Sequence, residues 1–127
     1  MNDTITQLAT VGPYDLRIYD VLEGEMETLL QVLAELALPM MPEYGIMPVG
    51  FWTEETTDRL FQISSHSRLE DVQSNWDRFH ADPRWQEGLA RIRQDRVIVK
   101  KVETVLLRGL DSLPSAGSCE AATGGCL

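Results

Sequence analysis

The chain has 127 residues, 43% hydrophobic and 24% charged, with 20 acidic against 11 basic side chains and a formal net charge of −9. That length holds one domain with a real core and not two, and the apolar fraction is that of a folded globular protein. A chain this acidic repels phosphate backbones and anionic bilayers, which argues against nucleic acid or a membrane as partner.

Residues 1–12 show no sustained periodicity and read as a loose lead-in to a domain spanning 13–110. From Tyr14 the pattern alternates. Tyr14, Leu16 and Ile18 form one face, assigned to the helical core, and Asp15, Arg17 and Tyr19 form the other, pointing away from it. Glu23-Gly24 turns the chain into a helix whose stripe is Met26, Leu29, Leu30, Leu33, Leu36 and Ala37. Pro39 and Pro42 are expected to end it near Leu38-Pro39. A second strand is predicted over Ile46 to Trp52, with Pro48 marking an edge or a bulge. A third follows from Arg59 to Ser65 or His66. Ser67-x-x-Glu70 has the form of a capping box and opens a helix with Leu69, Val72, Trp76 and Phe79 on one face. Asp82-Pro83 is a second start signal, an N-cap followed by proline at N1, for a short helix carrying Trp85, Leu89 and Ile92. The last run, Val97 to Leu107, is apolar on both faces, as a strand covered on both sides would be.

Residues 111–127, rich in Gly, Ser and Ala, read as a flexible tail. It holds the only cysteines, Cys119 and Cys126, whose spacing is not C-x-x-C; both read as incidental thiols. The N-terminus has neither a basic region nor an apolar one, and no stretch is long enough to span a bilayer, so the expected location is cytoplasmic. The element order is β-α-β-β-α-β, the ferredoxin-like α+β arrangement with an antiparallel four-stranded sheet. Helices cover one face of such a sheet. The other needs a second cover, most economically another copy of the chain.

Several short stretches in this order carry a family resemblance. They are Tyr14-Asp-Leu-Arg-x-Tyr19, Gly24, Leu38-Pro39, Tyr44-Gly45-Ile46 and Val49-Gly50-Phe51-Trp52-Thr53, then Trp76-x-x-Phe79-x-Ala81-Asp82-Pro83-x-Trp85 and Lys101-Val102-Glu103-x-x-x-Leu107-Arg108. On these the chain resembles the NIPSNAP family of the dimeric α+β barrel superfamily. The resemblance implies a homodimer in which two four-stranded sheets face each other with the helices outside. It leaves the reaction open, because the wider superfamily includes cofactor-free monooxygenases, cyclases, isomerases, dehydratases and haem-degrading enzymes.

The residues that could carry chemistry are few. His66, at the end of the third strand, is the candidate acid/base at neutral pH, against the plainer possibility of a rim histidine bonded to backbone. Arg17 and Tyr19 could hold a developing oxyanion. Alternatively, Asp15, Arg17, Tyr19, Lys101 and Glu103 form an interface network of mutually satisfied charges. Trp52, Trp76, Phe51 and Glu103 are candidate substrate contacts, although Trp76 and Trp85 sit at core spacing. His80 reads as a solvent-exposed histidine at a helix end. The resemblance to haem-degrading relatives would put an axial histidine at the position of Leu89, so haem is not expected. No spacing supports a metal site, and no cofactor is predicted. The expected function is proton transfer (a cyclase, isomerase or lyase) on a small apolar or aromatic metabolite, a chemistry that would suit bacterial specialised metabolism. The alternatives are a non-catalytic homodimer that binds a small molecule or serves assembly, and a cofactor-free or haem-dependent monooxygenase.

Overall fold

The structure is a computed structural model that describes residues 12–110; the tail, its two cysteines and all but the last residue of the lead-in lie outside the described residues. Strand β1 (Pro13–Val21) leads into helix α1 (Met26–Val32), and the helical path continues through a π-helical turn (Leu33–Ala37), an α turn (Leu38–Met40) and a 3-10 turn (Met41–Tyr44). Strands β2 (Met47–Thr53) and β3 (Arg59–Ser65) form a hairpin. After a 3-10 turn at Leu69–Asp71 come α2 (Val72–Ala81), α3 (Pro83–Arg93) and the edge strand β4 (Val99–Arg108). All three pairings are antiparallel, and the sheet order is β2-β3-β1-β4.

The expected ferredoxin-like order is present, with local departures. α1 does not stop at Leu38-Pro39. A wide turn, in which the Leu38 N–H reaches the Leu33 carbonyl, precedes the proline, and Pro39 enters the next turn where its missing N–H costs nothing. The chain leaves the helix only at Gly45, whose φ of 77° is left-handed. Ser67 makes no cap: Arg68 instead draws in Glu70 at 3.3 Å and Asp71 at 3.2 Å, so the glutamate cannot complete a capping box. Asp82 does cap α3, accepting the Arg84 N–H at 2.8 Å, with Pro83 at N1. Pro48 sits on an edge strand where the β2–β3 register slips.

The largest correction concerns the faces of β1. Asp15, Arg17 and Tyr19 lie on the helix side, not away from it: Asp15 bonds Trp76 of α2, Arg17 covers the same ring and Tyr19 belongs to the core. Their neighbours on β3 across the ladder, Ser64, Gln62 and Leu60, are fully buried. Leu16 and Ile18 face outward with Phe61 and Ile63 of β3 and with Val105 and Glu103 of β4. Alternation divides a strand into two sets but does not say which set meets the helices. Polar residues can occupy the inner face because they satisfy one another there, while the apolar outer set remains only half-buried.

Candidate functional site

Between the helix side of the sheet and helices α1 to α3 lies a cavity of about 390 Å³. Most of its wall is aliphatic and aromatic, including Leu33, Leu89, Val99, Phe79 and Trp85, with a polar end at Arg17, Tyr19, Gln62 and His80. The apolar stripes of α1 and α3 supply the floor, and the inner residues of β1 and β3, with His80 of α2, supply the polar end.

Arg17 is the central group there. Its Nε donates to the Tyr19 hydroxyl at 3.1 Å, and its Nη1 makes a long contact of 3.5 Å with Thr104 Oγ1. Its guanidinium carbon stands 4.2 Å from the centre of the Trp76 ring, a cation–π contact. Among the described residues no carboxylate pairs with it. The hydroxyl hydrogen of Tyr19 is committed to Gln62 Oε1 at 3.1 Å, and Gln62 in turn donates to Ser64 Oγ at 3.1 Å. Tyr19 therefore orients Arg17, while the free N–H groups of the guanidinium are the donors available to a ligand.

His80 stacks on Trp76 with ring centres 5.6 Å apart and an interplanar angle of 23°. It lines the cavity rather than facing solvent at a helix end. Burial, and secondarily the positive charge of Arg17, lower its pKa below the ordinary histidine value, with Asp77 opposing. The imidazole is neutral at pH 7 and able to accept a proton.

His66 occupies a different place. Its side chain is wholly buried and lines none of the described cavities. Nε2 lies 2.9 Å from Asp15 Oδ1 and Nδ1 lies 3.0 Å from Asn75 Nδ2. Asp15 also accepts the Trp76 indole N–H at 2.8 Å, and Asn75 Oδ1 accepts from Arg78 at 2.6 Å. The donors run one way, Arg78 to Asn75 to His66 to Asp15, which fits the neutral tautomer protonated on Nε2. With both ring nitrogens engaged, His66 fixes the Asp15 carboxylate that holds Trp76, and hence the platform under Arg17.

The remaining candidates separate. Trp76 lines the cavity. Phe51 packs against the core on the helix side, opposite Gln62, without lining it. Trp52 lies on the outer face, 51% exposed, with its ring across Gly50, where an added Cβ would come within 2.7 Å of it. Glu103 is outside too, 3.5 Å from Lys101, so Asp15, Arg17 and Tyr19 do not form one network with Glu103 and Lys101. Sequence reasoning passed over Gln62, hidden as one polar residue inside an alternating strand, and set His80 aside as a solvent-exposed helix-end residue, although Trp76, four residues earlier on the same helix, is the ring it stacks on. Among the described residues no three His, Cys, Asp or Glu side chains converge, and no helix is long and apolar enough to cross a membrane.

The NIPSNAP family model matches residues 14–112. Among solved structures, a NIPSNAP family protein of unknown function from Agrobacterium tumefaciens is 21% identical, with a TM-score of 0.66 over 81% of this chain and 93% of its own. An uncharacterized NIPSNAP domain protein from Burkholderia xenovorans is also 21% identical, with a TM-score of 0.65 over 81% and 99%. A second Burkholderia xenovorans protein, described as NIPSNAP-like, is 16% identical, with a TM-score of 0.67 over 84% and 91%. At these identities the likeness is one of fold. No curated protein matches the chain.

Proposed function

The chain belongs to the NIPSNAP family, and from that premise we propose a homodimer that binds a small, largely apolar or aromatic carbonyl compound and moves a proton on it without a cofactor. The observation that carries this reading is an uncompensated guanidinium, Arg17, at the polar end of a mostly apolar cavity beside a neutral imidazole, His80; the cavity's other guanidinium, Arg93, donates to the Arg96 carbonyl. A cation left without a carboxylate in such surroundings is costly to the apo protein and is relieved by an anion.

The chemistry follows from those two groups. His80 takes a proton from the carbon next to the carbonyl, the C–H electron pair moves onto the carbonyl oxygen, and the enolate oxygen is held by the free N–H groups of Arg17. Returning the proton at another atom gives an isomerase. Attack of the enolate carbon on a second carbonyl gives a cyclase, and expulsion of a β-substituent gives a lyase. In this scheme Tyr19 and Trp76 orient the guanidinium, and His66 acts at a distance through Asp15. The proposed partner is a second copy of the chain, laid against the outer face where Leu16, Ile18, Phe61, Ile63, Val105 and Leu107 stand together. The proposed location is the cytoplasm.

The test is proton exchange in D2O. Full-length protein is incubated with 2-tetralone and with 1-phenyl-1,3-butanedione, and loss of the α-proton signal is followed by NMR. Exchange above the buffer rate that disappears in His80→Ala and in Arg17→Met supports the reading. Exchange at the buffer rate with both ketones, or unchanged exchange in His80→Ala, removes it and leaves a binding protein.

A further inference from the structure

A second hollow, of about 330 Å³, lies between β4 and the start of α2. Its character differs from the first: Glu70, Gln73 and Thr104 contribute polar groups beside Leu69 and Leu106. Arg17, Trp76 and His80 line both hollows. These three side chains form the border the two hollows share, with the guanidinium 4.2 Å from the indole centre and the imidazole stacked on the same indole. The one carboxylate that lines the second hollow, Glu70, pairs with Arg68 at 3.3 Å. The guanidinium on the border has no carboxylate partner among the described residues.

We propose that the two hollows are two subsites of one ligand, an amphipathic carboxylate. Its apolar body fills the larger hollow, and its head group lies in the smaller one against Arg17 and Thr104. This assignment rests on the larger hollow being the substrate site, as read above, but requires no turnover. Three features select the ligand class. The larger hollow has an apolar wall, the smaller one has hydrogen-bonding groups, and the shared cation lacks a carboxylate partner among the described residues. An acid is therefore preferred over a neutral molecule of the same shape, because only the acid supplies the missing charge.

Isothermal titration of the full chain with 4-phenylbutanoate and with 4-phenylbutan-1-ol, at one pH and one ionic strength, tests this. The acid is expected to bind about tenfold or more tightly than the alcohol, the range of a charge-assisted hydrogen bond. Arg17→Met brings the acid down to the affinity of the alcohol. Thr104→Trp, which fills the smaller hollow from an exposed strand position, weakens the acid more than the alcohol. Equal affinities in the unaltered protein, no saturable binding of either compound, or an acid affinity unmoved by Thr104→Trp would each overturn the proposal. If Arg17→Met does not fold, the acid-to-alcohol ratio and the Thr104 variant still decide. Silence in the ketone exchange assay with the acid preference intact removes the proton-transfer reading alone. Exchange without an acid preference removes only the two-subsite assignment.

Discussion

Asp15 offers the sharpest perturbation, because its carboxylate is fully buried and both its partners are donors, His66 Nε2 at 2.9 Å and the Trp76 indole at 2.8 Å. Asp15→Ala strands both. A buried donor left unpaired costs about 1–3 kcal/mol, so the loss is on the order of 3–5 kcal/mol once the charged character of the acceptor is included. That is a large share of the roughly 5–15 kcal/mol by which domains of this kind are stable. Asp15→Asn should behave differently. Its amide oxygen still accepts from Trp76, but its NH2 meets the Nε2–H of His66. Moving the His66 proton to Nδ1 passes the conflict to Asn75, and flipping Asn75 passes it to Arg78, which is exposed and can turn to water. The conflict leaves through the surface, and the cost is the lost charge-assisted bonding, about 2 kcal/mol. Urea unfolding of both variants and the parent, at one protein concentration so that any dimerisation is held constant, measures the two losses. A loss under about 1 kcal/mol for the alanine variant, or equal losses for the two, would refute the directional network.

Other outcomes follow from the same geometry. Ile18→Glu and Phe61→Glu each place a charge on the apolar outer face; if the proposed dimer forms there, sedimentation should find the mass of one chain for each variant and of two for the parent. Gly45→Ala puts a Cβ into a left-handed residue, 3.3 Å from Asn75 Nδ2; a loss of about 1–2 kcal/mol in thermal unfolding is expected. The pH dependence has a definite sign. The folded pKa of His80 lies below its ordinary 6.5, so its contribution is complete above that value and falls away as pH drops through 6.5 towards the folded pKa. Proton exchange should hold as pH falls through 6.5 and drop only at the lower, folded pKa, as a rate profile from pH 4.5 to 8 would show. Asp82 acts in the same direction at lower pH. Its side-chain bonds from Arg84 and Tyr44, with the Arg84 N–H, depress its pKa well below the ordinary 3.8. Its support for the α3 start is present above that value and lost beneath it, which Asp82→Asn should flatten in acid unfolding curves.

How far the residues alone go can be judged from particular elements. The order of strands and helices, the Asp82-Pro83 start of α3, the slip at Pro48 and the core roles of Trp76 and Phe79 all rest on local chemistry: periodicity, capping and the missing proline N–H. Such signals act over a few residues and can be read from them. Tertiary structure alone decided which face of β1 meets the helices. It placed Asp15 under Trp76, buried His66 away from the cavity, and brought His80 to a wall it shares with Arg17. Each of those outcomes depends on a partner between 51 and 63 positions away in the chain, and the alternating pattern of a strand is unchanged when its two faces are exchanged.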